Sequence, residues 1–113
     1  MKVRYYTTAS GRSPVKKFID ELPDGAAADF ALAIDRLASG ELLEMPLSKP
    51  LFDLAKSLYE LRLRLRGQGN IYRVIYFIKK KDGIYLIHGF QKKTQKLPDK
   101  ERKVILKRLK DLN

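Results

Sequence analysis

The sequence predicts an α+β fold: an N-terminal strand, a two-helix hairpin, a three-strand antiparallel meander and a C-terminal helix. Three observations predict it. Tyr59 to Arg66 alternates strictly, with Tyr59, Leu61, Leu63 and Leu65 on one face and Glu60, Arg62, Arg64 and Arg66 on the other, which is the period of a half-buried strand. Ile71 to Ile78 and Ile84 to Phe90 are rich in β-branched and aromatic residues, and residues suited to tight hairpins separate the three segments. Before the meander, apolar residues recur at helical spacing, and a sheet with one apolar face needs such a cover.

The elements follow in order. Val3 to Thr7 is short, β-rich and stops before Ser10 and Gly11, so it is expected at a sheet edge. Ser13 before Pro14 starts a helix, because serine caps free backbone N–H groups and proline needs no N–H partner in the first turn. Val15, Phe18, Ile19 and Leu22 form its apolar stripe. After Pro23, Asp24 and Gly25, Ala27 to Ala38 form a second helix with Phe30, Ile34 and Leu37 on one side. Gly40 sits where a left-handed cap belongs. Glu41 to Lys56 contains Pro46 and Pro50 and has no period, so it is expected as a loop whose leucines tuck under the sheet edge. Gly67, Gly69 and Asn70 suit the first hairpin of the meander, and Asp82 with Gly83 the second. Pro98 to Leu112 is the last helix, with Ile105, Leu109 and Leu112 on one stripe. Residues 1–113 read as one domain.

The formal charge is +11, from 24 Lys and Arg against 13 Asp and Glu. Such a field attracts polyanions, nucleic acid first, although an anionic membrane surface or an acidic protein satisfies the same electrostatics. No cysteine is present and His88 is the only histidine, which excludes disulfides and thiolate sites and argues against a transition-metal site, so no metal or other cofactor is expected. No apolar run approaches a membrane span and no signal-like segment opens the chain, so no membrane partner and a cytoplasmic location are expected.

Three blocks narrow the choice among small α+β folds, the last of them not demanded by any fold rule: Leu58-Tyr59-Glu60-Leu61-Arg62, then Tyr72-Arg73-Val74 leading into Tyr76-Phe77, then His88-Gly89-Phe90 followed by Lys92-Lys93-Thr94 and Lys96. Together they resemble the phage-derived Gp49, or HigB-like, branch of the RelE/ParE toxin superfamily over nearly the whole chain. The resemblance implies a RelE-like fold and a toxin of a type II toxin–antitoxin pair. It also implies a cognate antitoxin, commonly a HigA-like helix-turn-helix protein, and, as in the HigB and RelE relatives, cleavage of messenger RNA in the ribosomal A site. Other members of the superfamily poison DNA gyrase without being enzymes.

Metal-free RNA cleavage needs a base for the attacking 2′-OH, cations for the charge that builds on phosphorus, and an acid for the leaving 5′-oxygen. Arg62 and Arg73 are the first choices for gripping the phosphate, because a guanidinium donates two parallel bonds to it. Arg73 also interrupts a nearly continuous apolar run, where a hydrophobe is the structural default. His88, Lys92, Lys93 and Glu60 are the candidates for proton transfer. In relatives a lysine often stands at the position of Glu60, so an acidic residue here argues against a lysine base on that strand. Arg64, Lys96, Lys100, Lys103 and Lys107 are expected to follow ribosomal RNA phosphates. Each choice has a plainer counterpart. His88 can be a packed residue bonded to backbone, the β-strand arginines a solvated face, and the helix lysines an ordinary exterior. A nucleic-acid-binding or protein-binding module without toxicity is the corresponding whole-chain alternative.

Overall fold

The computed structural model of the chain describes residues 1–64, 71–80, 82–92 and 96–112. Its elements run β1 (Val3–Tyr5), α1 (Pro14–Asp20), α2 (Asp24–Ala38), β2 (Ser48–Pro50), β3 (Leu58–Arg64), β4 (Ile71–Lys79), β5 (Gly83–Lys92) and α3 (Asp99–Leu112). The five strands form one mixed sheet in the order β1-β5-β4-β3-β2, an α+β arrangement compatible with a RelE-like fold. The antiparallel meander of β3, β4 and β5 is its centre. β1 lies at an edge as expected and pairs parallel to β5, Val3 opposite Ile84 and Tyr5 opposite Leu86.

Local chemistry sets the helix ends. Ser13 caps α1 by accepting from the Lys16 N–H at 3.4 Å, and its hydroxyl donates to the Tyr6 carbonyl at 2.7 Å, which ties the helix to the end of β1. α2 starts three residues before the expected Ala27, since Asp24 in the first turn complements the positive end of the helix dipole. Gly40 ends it with φ +92° and an N–H bonded to the Leu37 carbonyl, a conformation that costs glycine little. The connection after α2 is not wholly a loop, because Ser48–Pro50 adds an edge strand to β3. Its three residues end in proline, which a sheet accepts at an edge. Leu43 and Leu51 are buried, as expected of tucked leucines, while Leu42 is exposed.

Paired residues of neighbouring strands share a face, so the register separates the two sides of the sheet. Leu61, Val74 and Gly89 share one side, where α1 brings Phe18 against Gly89 and Tyr72. The other side carries Glu60, Arg62, Arg73 and His88, and α3 packs on it through β5. This side was expected to be open. It is closed instead: Glu60 is 3% exposed, Arg62 8% and Arg73 0%. The alternation of β3 therefore marks polarity and not exposure, because both faces of the strand are covered. Among the described residues, no helix is long and apolar enough to cross a membrane.

Candidate nucleic-acid site on the sheet

The site is built by register. Glu60 pairs with Ile75, which pairs with His88, and the next rung on the same face runs Arg62, Arg73, Phe90. One face thus carries a carboxylate and an imidazole two strands apart, roughly 10 Å by strand spacing, with two guanidinium groups in the rung beside them. An irregularity in the β4–β5 pairing makes this possible. Tyr76 pairs with Leu86 but Ile75 pairs with His88, so Ile87 is the extra residue of a bulge. A one-residue shift moves every later side chain to the opposite face. Here it places His88 and Phe90 on the side of Arg73 and leaves the Ile87 carbonyl available to α3.

The centre of the site is a buried carboxylate between two arginines. Glu60 Oε1 lies 3.3 Å from Arg73 Nε and 3.5 Å from Arg62 Nε. Burial pushes the Glu60 carboxyl above its ordinary range, against the opposing pull of Arg73, then Arg62, then Lys49. Burial likewise lowers the Arg73 guanidinium, which Glu60 supports and Arg62 opposes. The Arg73 guanidinium also lies 5.8 Å from the centre of the Phe90 ring on β5, within cation–π distance. Among the described residues, two arginines of this cluster face one carboxylate.

His88 belongs to a second network. Its Nε2 lies 3.0 Å from Glu101 Oε1 and its Nδ1 3.2 Å from Arg108 Nη1, and the same Nη1 donates to the Ile87 carbonyl at 2.8 Å. Arginine has donors only, so Nδ1 accepts and the single proton of the neutral ring sits on Nε2, directed at Glu101. Burial lowers the His88 pKa, the Glu101 hydrogen bond raises it, and Arg108 lowers it further, with a net fall. The ring is therefore neutral at pH 7, and both nitrogens hold α3 to the sheet. Farther along α3, Tyr6 donates its hydroxyl to Asp111 at 2.7 Å, and the Arg108 guanidinium lies 5.2 Å from the Tyr6 ring.

The sequence candidates divide accordingly. Glu60, Arg62 and Arg73 meet in one cluster, and His88 shares their face but is engaged with α3. Lys96, Lys100, Lys103 and Lys107 are exposed, on α3 and the segment before it. Lys93 lies outside the described residues, as do the side chains of Arg64 and Lys92 and the turn of Gly67, Gly69 and Asn70. Three residues escaped the sequence reading. Lys49 on β2 pairs with Glu60 and is exposed at the rim of its rung; its setting between two prolines gave no strand period to find it by. Glu101 and Arg108 could have been found, because they stand four residues before and three after Ile105. Those offsets put both on the sheet-facing stripe of α3.

A model of the family described as phage-derived Gp49-like protein matches residues 17–110, and so contains Glu60, Arg62, Arg73, His88, Glu101 and Arg108. No curated protein matches the chain.

Proposed function

Because the chain belongs to the phage-derived Gp49-like family, and through it to the RelE/ParE-like toxin superfamily of toxin–antitoxin systems, we propose that it is a type II toxin that cuts messenger RNA in the ribosome. The observation that carries this reading is the register of β3, β4 and β5. It sets Glu60 and His88 on one rung and Arg62 and Arg73 on the next.

In the proposed reaction Glu60 takes the proton of a ribose 2′-OH, and that oxygen attacks the adjacent phosphorus. Its raised pKa suits the task, because a carboxylate that holds its proton more tightly is a stronger base. Arg62 and Arg73 hold the negative charge that builds on the phosphoryl oxygens. The bond to the 5′-oxygen breaks, and a proton donor completes the leaving group. The products are a 2′,3′-cyclic phosphate and a 5′-hydroxyl. His88 serves as that donor as an imidazolium, once release from Arg108 lets its Nδ1 take up a proton from solvent; Lys92 and Lys93, at and beyond the end of β5, are the other donors proposed. The burial of Arg73 requires that RNA binding open this face, and the exposed Lys96, Lys100, Lys103 and Lys107 supply the initial attraction to ribosomal RNA. The antitoxin, proposed to be a HigA-like helix-turn-helix protein, restrains the activity in the cytoplasm.

The closure of the same face favours a second reading, a ParE-like inhibitor that binds DNA gyrase and needs no catalytic row. Induction of the chain in cells, with 5′ ends mapped on translated messages, separates the two. Cleavage predicts new 5′-hydroxyl ends within coding regions, lost in Arg73→Ala with the fold retained. Growth arrest with DNA damage and no new ends contradicts the proposal.

A further inference from the structure

The charge of this molecule is segregated. Residues 21–44 contain Glu21, Asp24, Asp29, Asp35, Glu41 and Glu44 against Arg36 alone. This is a net −5 in a chain of +11, and it leaves the remaining residues at +16. All six carboxylates are exposed. The α2 hairpin and its following loop are thus an acidic end on a strongly basic protein, and nucleic acid is repelled from that end.

The same end carries unusually exposed apolar side chains. Leu32 on the outer side of α2 is 65% exposed, and Leu42 and Met45 in the following loop are 70% and 56% exposed. These positions are held together by a built contact. Arg36, one turn beyond Leu32, grips Glu41 through two bonds, Nε to Oε2 at 3.0 Å and Nη2 to Oε1 at 2.8 Å. That fork ties the loop to the helix. Arg36, Leu42 and Met45 then border one shallow concavity of about 440 Å³, whose rim includes Glu41 and Glu44. Asp29 and Asp35 lie three residues to either side of Leu32, on neighbouring positions of the helix surface.

We propose that this acid-rimmed apolar face is a docking surface for a basic amphipathic helix of a partner protein. Apolar anchors of that helix meet Leu32, Leu42 and Met45, and its lysines or arginines meet Asp29, Asp35 and Glu44. The signs of the charges select this occupant over RNA and over an acidic segment. In a toxin family the antitoxin is the partner at hand, and this face lets it bind without covering the Glu60 row. The proposal stands on the exposure and charge of the α2 end and does not depend on the cleavage reading.

The test uses the full chain and a labelled 18-residue helical peptide of lysine and leucine, patterned to be amphipathic, with a glutamate–leucine peptide of the same pattern as control. Fluorescence anisotropy is read against wild type and against the double variant Leu32→Lys/Leu42→Lys, whose fold is checked by circular dichroism. The basic peptide is expected to bind wild type in the micromolar range and the variant at least tenfold more weakly. Equal binding to both proteins, or none to wild type, overturns the proposal. So does sedimentation showing that wild type alone forms a dimer lost in the variant, because a second copy is then the occupant. Cleavage assays on the same variant separate this test from the catalytic one, since Leu32 and Leu42 are outside the Glu60 and His88 networks.

Discussion

At the scale of single residues, the chemistry turns on Glu60. A carboxylate 3.3 and 3.5 Å from two buried guanidinium groups neutralises charges that water cannot reach. Removing it is therefore costly: Glu60→Ala is expected to destabilise the fold by about 3–5 kcal/mol, as for other buried ion pairs broken from one side. Replacing the whole cluster behaves differently. The triple variant Glu60→Leu/Arg62→Met/Arg73→Met removes all three charges of the cluster at once and is expected to cost less than Glu60→Ala. Urea denaturation of the two variants checks both outcomes. His88 gives a pH prediction. Its folded pKa lies below the unfolded value of 6.5, so in acid the unfolded chain binds the extra proton and stability falls as pH drops through that value. Glu60, with its pKa raised from 4.5, acts in the opposite sense at lower pH, where the folded chain takes the proton first. Melting temperatures between pH 7.5 and 5 are expected to fall in wild type and to fall less steeply in His88→Gln.

At the scale of elements, two contacts lock helices to opposite faces of the sheet, Phe18 of α1 on Gly89 and Glu101 with Arg108 of α3 on His88. A Cβ at Gly89 would run into the Phe18 ring of α1, so Gly89→Ala is expected to cost about 1–3 kcal/mol as an overpacked site. Adding Phe18→Ala to it should cost less than the two single changes together, and a double-mutant cycle by chemical denaturation measures the difference. These particulars also mark how far the sequence can be read. The Ser13-Pro14 start, the Gly40 cap and the alternation of β3 express local chemistry, and each appears in the fold at its expected place. The closure of the polar face of β3 was not legible, because alternation shows which residues share a side and not what lies across from them. The parallel pairing of β1 with β5 is non-local, and β2 is too short to have a period. The bulge at Ile87 was hidden for a further reason. Ile84 to Phe90 is apolar on both faces apart from His88, so no change of pattern marks where one face becomes the other.

At the scale of the whole molecule, the three candidate activities share one electrostatic frame. A chain of +11 with six of its thirteen acidic residues gathered at the α2 end is a strong dipole, and such a molecule approaches an RNA surface with α3 and the basic segments leading. Its affinity for RNA is expected to fall steeply with salt. Lys103→Ala and Lys107→Ala should each lower the slope of log affinity against log salt by about one unit where the lysine meets a phosphate, measured by filter binding from 50 to 300 mM salt. Attraction of this kind explains adhesion and not cleavage, so the decisive experiment reads the bond itself. Purified chain is added to ribosomes stalled on a defined message, and the cut ends are identified for wild type and for the triple variant at Glu60, Arg62 and Arg73. The proposed chemistry predicts a 2′,3′-cyclic phosphate upstream and a 5′-hydroxyl downstream in the A site for wild type, and an uncut message for a variant that is folded and still bound. Cleavage by that variant at the wild-type rate contradicts it.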